Sequence, residues 1–122
     1  MSDLKLAGQD SWQHRVGHSP SPALLAEIVR RIVEVAQPER IVLFGSAARG
    51  EMGPDSDIDL LIIKAGVERR RELVTAIHAA LRRLGEAFDV MVTTPEEIEL
   101  YGQSPALIFR DALREGRTLY VR

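Results

Sequence analysis

The chain has 122 residues, 45% of them apolar, which suits one domain with a modest core and leaves no room for separate catalytic and substrate-binding domains. Sixteen basic against eighteen acidic residues give a formal charge of −2, far from the markedly basic balance of a dedicated nucleic-acid binder, so no direct nucleic-acid contact is expected. With no cysteine there is no disulfide, thiolate zinc site or cysteine nucleophile, and the lack of a long apolar run or a signal-peptide core in "MSDLKLAGQDSWQHR" predicts a soluble cytoplasmic protein without membrane attachment.

Residues 1–20 mix polar residues with Gly8, Gly17 and Pro20 and read as a loose arm, with Trp12 as a candidate anchor. The domain proper is expected over residues 21–122. Ser21 is placed as an N-cap and Pro22 at the first helical position of "PALLAEIVRRIVEVAQ", which Pro38 stops. Leu25, Ile28, Ile32 and Val35 form the predicted buried stripe, with Glu27, Arg30, Arg31 and Glu34 facing water. The apolar run "RIVLF" (40–44) predicts a buried strand that ends at Gly45 and Ser46, followed by a helical turn "SAAR". "DIDLLII" (57–63) predicts a second strand. "ERRRELVTAIHAALRRLG" predicts a helix with Leu73, Ile77, Ala80, Leu81 and Leu84 inward and Gly85 as its stop. "FDVMV" (88–92) is the third strand. Thr94 and Glu97 form a capping box around Pro95 and open a short helix. Ser104 and Pro105 repeat the device ahead of "PALIFRDALRE", which Gly116 ends, and "RTLYV" closes the series as a fourth strand. The expected fold is mixed α/β (α+β): a small mixed sheet of three to four strands with helices packed on it.

The chemistry gathers in "GSAARGEMGPDSDID", residues 45–59. Gly45 allows close backbone approach, and amides at a helix start together with the Ser46 hydroxyl suit an anionic oxygen such as a phosphate. Arg49, one turn on, adds a fork of donors. On a strand Asp57 and Asp59 share one face, and two such carboxylates repel unless a cation lies between them. Magnesium fits, taking hard oxygens from a few carboxylates and completing its shell with water and phosphate. Displacement at phosphorus with two metals calls for a third carboxylate, for which Asp89 is the candidate. The joint Gly-Ser and Asp-x-Asp spacing should arise by chance in roughly one chain of this length in several hundred.

"GSAARGEMGPDSDIDLLI" and "FDV" resemble the Gly-Ser-x10-Asp-x-Asp motif and third-aspartate strand of the polymerase-β-like nucleotidyltransferase superfamily. The short chain and its "LYV" ending resemble the minimal nucleotidyltransferases, over roughly residues 22–122. The resemblance implies a palm-like fold, ATP as substrate with two magnesium ions, and transfer of AMP to a hydroxyl. It assigns the triphosphate to Gly45 and Ser46 and the metal to Asp57, Asp59 and Asp89. It also implies an antitoxin role, in which a tyrosine of a cognate HEPN-type ribonuclease toxin is adenylylated within a hetero-oligomer. Ala47 departs from the pattern, which often has a basic residue there.

Other readings stay open at this level. The acceptor could be a small molecule such as an antibiotic, or the chain could be a non-catalytic module that masks its partner. His14 and His18 are spaced i, i+4 but lie outside any helical pattern. His78 is expected on a solvated helix face. Arg69–Arg71 and Arg82–Arg83 read as a solvated face or a partner-docking surface.

Overall fold

The first helix begins where Ser21 and Pro22 direct it. Ser21 is extended, and its hydroxyl accepts a hydrogen bond from the Leu24 amide at 3.1 Å. The computed structural model describes the backbone of residues 18–101 and 108–122, and in it this helix, α1, spans Pro22–Ala36. Gln37 ends it in the left-handed region, with φ 46°. Leu25, Ile28 and Ile32 are buried, but the stripe closes on Ala36 rather than Val35. Eleven residues bring an α-helix back to within about 20° of the same face, so Ala36 stands over Leu25. Val35 is turned about 80° away from Leu25, and it is 39% exposed.

Four strands follow: β1 (Arg40–Phe44), β2 (Ile58–Ile63), β3 (Phe88–Thr93) and β4 (Arg117–Val121). They line up as β3-β2-β1-β4, with β2 and β3 parallel and the other two pairings antiparallel. A parallel pair needs a crossover, and the helix α3 (Arg70–Ala80) supplies it. The other helices are α2 (Gly45–Arg49), α4 (Pro95–Tyr101) and α5 (Ile108–Glu115). Ser104 and Pro105, the expected start of the last of these, lie outside the described residues. The expected mixed sheet with packed helices is what forms.

Register decides which side chains share a face. Leu43, Leu60 and Val90 lie opposite one another, as do Ile41, Ile62 and Val92, and both rows join the core beneath α1 and α3. The alternate row of Val42, Leu61 and Met91 faces the other way, where Val42 and Leu61 pack with Ala112 of α5. Strands covered on both faces need apolar residues without alternation, which is why "LLII" is continuous.

α3 is shorter than its periodicity suggests. Its regular part ends at Ala80, and Leu81 and Arg82 continue only as a tightened turn, with amides reaching back three residues to His78 and Ala79. Arg31 explains where the freed carbonyls go. Its Nη1 donates to the carbonyls of Ala80 and Arg82, both at 3.0 Å, so this residue is half-buried at a helix end rather than solvated. Glu27 accepts from both Arg30 and Arg31, and those hydrogen bonds hold its carboxyl down at about 2.

Gly116 is where α5 turns into β4. A Cβ there would collide with the Ala112 carbonyl oxygen and come within 2.6 Å of Val42 Cγ1 and 3.0 Å of the Leu43 carbonyl oxygen. Two of these neighbours are backbone and cannot step aside. Gly116→Ala is therefore expected to destabilise the fold by about 1–3 kcal/mol, read as a lower midpoint in urea unfolding at unchanged slope. An unchanged midpoint would show that α5 can lift from β1 at no cost.

Candidate active site

The site is built where β1 ends and β2 and β3 begin. Phe44 lies opposite Asp59, and Asp59 lies opposite Asp89, so one row crosses three strands on the face that carries Leu61 and Met91. Ile58 goes to the opposite layer, where it is fully buried. Asp57 stands just ahead of β2, two residues before Asp59, and is exposed, as is Asp89. Asp89 lies within the third strand, as expected, and is its exposed second residue.

Asp59 is the half-buried member of the three. Burial first, then the charges of Asp89 and Asp57, push its carboxyl above the usual aspartate range, and Arg49 pulls the other way. Asp89 and Asp57 are thus both near enough to act on Asp59 electrostatically. No three His, Asp or Glu side chains among the described residues are gathered into a ready-made metal cage. The fit to magnesium is instead one of donor chemistry: hard carboxylate oxygens, mutually repelling, on a ledge open to water and phosphate.

Gly45 follows Phe44 with φ +69°, a conformation that side chains rarely adopt, and a Cβ on it would collide with Asp59 Oδ2. The glycine therefore brings the start of α2 directly against the acid. Ser46 is half-buried on the same turn, and its carbonyl accepts from the Glu51 amide at 2.9 Å. Ala47 is fully buried in the core. The basic residue expected at that position would have to leave the core here. Arg49 is tied to Glu51, Nε to Oε1 at 2.8 Å, and this hydrogen bond raises the guanidinium's pKa further. Glu51 escaped the sequence reading, although an acid two residues beyond an arginine is a visible signal.

A second unforeseen feature shapes the loop between α2 and β2. His18 and Met52 exchange backbone hydrogen bonds, Met52 N to His18 O at 3.0 Å and His18 N to Met52 O at 3.3 Å. Met52 is buried, and the Ser56 hydroxyl accepts from Gly53 N at 2.9 Å, folding the loop before Asp57. His18 is held through its backbone; His14 and Trp12 lie outside the described residues. His78 is exposed, as expected, and Arg69 and Arg70 pair with Glu72 and Glu97.

Comparison with known proteins gives this geometry a lineage. Residues 23–117 match the nucleotidyltransferase domain family. A "Putative protein adenylyltransferase" of Methanocaldococcus jannaschii is 35% identical over 83 residues, which span 67% of this chain and 78% of the relative. The crystal structure of "a putative nucleotidyltransferase from Sulfolobus solfataricus" superposes with a TM-score of 0.57 at 21% identity, over 97% of this chain and 91% of that one. The toxin-antitoxin complex MntA-HpeT, solved as a mutant with two Asp-to-Glu replacements two residues apart, gives 0.53 at 19% identity, over 80% of this chain and 73% of that one. At such identities the two structures speak for the fold, and the first two matches speak for descent. The chain belongs to the polymerase-β-like nucleotidyltransferase domain family and is a nucleotidyltransferase enzyme.

Proposed function

We propose that this nucleotidyltransferase moves AMP from ATP, with magnesium, onto a hydroxyl of a partner protein, and that the partner is a HEPN-type toxin bearing an acceptor tyrosine. The observation that carries the chemistry is the row from Phe44 through Asp59 to Asp89, with Gly45 pressed against Asp59. The name of the Methanocaldococcus jannaschii relative supports a protein acceptor. The toxin-antitoxin neighbour, whose two replaced aspartates have the spacing of Asp57 and Asp59, supports a toxin partner.

In this reading Gly45 and Ser46 cradle the triphosphate, and Arg49 lends its charge once it turns from Glu51. Asp57, Asp59 and Asp89 would hold magnesium, which when bound would supply Lewis-acid stabilisation of the charge on the phosphates. The acceptor's hydroxyl oxygen bonds to that phosphorus, the bond from phosphorus to the bridging oxygen of pyrophosphate breaks, and the hydroxyl proton passes to a carboxylate oxygen of Asp89. Asp89 suits this last role because it is exposed at the open end of the row. Pyrophosphate leaves with the electron pair of the broken bond.

The test is to incubate the full chain with α-labelled ATP, magnesium and the protein encoded beside it. Label on a tyrosine of that protein is the expected result. Ser46→Trp should remove most binding of a non-hydrolysable ATP analogue by calorimetry, because its bulk fills the cradle. Labelling of an aminoglycoside with no labelled protein would replace the acceptor. Unchanged analogue affinity in Ser46→Trp would remove the nucleotide from this loop.

A further inference from the structure

A groove of about 510 Å³ runs along β3 on the side away from β2, walled by α3. Val90 and Val92, which reach the core, and Val74 line its apolar part, and Thr75, Arg70 and Arg71 its polar part. Three observations set it apart from ordinary surface. β3 is an edge of the sheet, so alternate amides and carbonyls point outward with no strand beside them among the described residues. Val90 follows Asp89 directly on this strand with its side chain on the opposite face of the sheet, so the free edge that borders the groove also runs past Asp89. The groove's far end carries Arg70 and Arg71. Arg70 is engaged by Glu97 at 2.9 Å and Arg69 by Glu72 at 3.5 Å, whereas Arg71 has no acidic partner among the described residues.

We propose that this groove docks an extended segment of the acceptor protein as an added strand on β3, bringing the acceptor hydroxyl to Asp89 and flanking acidic side chains to Arg71. The occupant follows from the surface. A strand edge offers backbone pairing to an extended chain, Val74 and the rims of the buried Val90 and Val92 border its apolar side chains, and an uncompensated arginine selects a carboxylate. Asp89 and Val92 are about 10 Å apart along a strand, so the acid belongs two to four residues from the acceptor. The inference deepens the proposed transfer to a protein and rests on it for the word acceptor. Docking itself can be measured without nucleotide.

The experiment uses the full chain, isotopically labelled, and two twelve-residue peptides with one central tyrosine. One carries glutamates three and four positions to either side, and the other carries lysines there. The glutamate peptide should shift amide signals of β3 and α3 and bind at least about 10-fold more tightly than the lysine peptide. In Arg71→Glu that preference should reverse, with affinity for a non-hydrolysable ATP analogue unchanged. Glutamate suits the first turn of α3, so the variant is expected to fold. Methylating alternate backbone amides of the glutamate peptide should abolish docking in one of its two phases. Equal affinity for both peptides, a preference unmoved by Arg71→Glu, or no shift along β3 up to 1 mM peptide would each overturn the proposal. So would a finding that residues 1–17 fill the groove, seen as nuclear Overhauser contacts to Val90 and Val92. If docking holds while no protein is ever labelled with AMP, the groove stands and the reaction assigned above falls.

Discussion

Asp59→Asn is expected to lower nucleotidyl transfer by about three orders of magnitude or more while the protein stays folded. Asp59 sits at the centre of the row, half-buried, with Asp89 opposite and Asp57 two residues back. Asparagine keeps its shape and removes the charge that would hold a hard cation. Without metal that charge is a burden. Its folded-state pKa lies above the ordinary value, so the protonated acid is the form the fold prefers. The sign follows: this group's favourable contribution is full below the ordinary aspartate value of about 4 and is lost as pH rises through the folded value. Glu27, Glu39 and Glu97 run in the opposite sense, since their lowered values stabilise the fold above the carboxylate range and cease to do so as pH falls. In metal-free buffer Asp59→Asn should hold or raise the melting temperature by up to about 3 °C at pH 7, a gain that shrinks towards pH 4. Magnesium should raise the melting temperature of the native chain more than that of the variant. Full transfer activity in Asp59→Asn would end the reading in which this carboxylate holds the metal.

Gly45→Ala is expected to cost about 10²-fold in transfer and about 1–2 kcal/mol in stability. The two losses have separate causes. The φ of +69° strains any side chain, and the added methyl meets the Asp59 carboxylate, which must swing out of its row. Gly66 separates the two. It has φ +71° with nothing within 4 Å of an added Cβ, so Gly66→Ala carries the strain without the collision. Both variants should show similar shifts in urea midpoint, and only Gly45→Ala should lose transfer. Equal activity in the two would mean that the carboxylate's position beside Gly45 is irrelevant to catalysis.

Local signals were legible in the sequence, and long-range ones were not. Ser21, Pro22, Thr94 and Glu97 mark helix starts because their hydrogen bonds close within three residues: Thr94 Oγ1 accepts from Glu97 N at 3.1 Å, and Glu97 Oε1 from Thr94 N at 3.0 Å. Asp57, Asp59 and Asp89 could be singled out because acids at the start of apolar strands are conspicuous against their neighbours. That Asp59 meets Asp89 is a matter of register, which depends on how α3 returns the chain and on which faces must be buried. Arg31 read as solvated because periodicity sees one helix at a time, and its partners, the Ala80 and Arg82 carbonyls, belong to another. Val35 was misplaced at a helix end, where one more residue, Ala36, continues the stripe better. The pairing of His18 with Met52 is backbone to backbone and carries no residue signature at all.

The parallel pairing of β2 with β3 also sets a timetable. A nascent chain that has emerged as far as α3 already carries Gly45, Ser46, Asp57 and Asp59, and its antiparallel β1–β2 pair can form. Its centre nevertheless has only two of three acids, and β2 has a bare flank. Completion waits for α3 to fold back and for β3 to arrive alongside, a non-local closure of the kind that slows folding. An interrupted translation product ending before Asp89 would therefore hold the Gly45–Ser46 turn and two of the three acids without the third, and with an unpaired strand inviting wrong company.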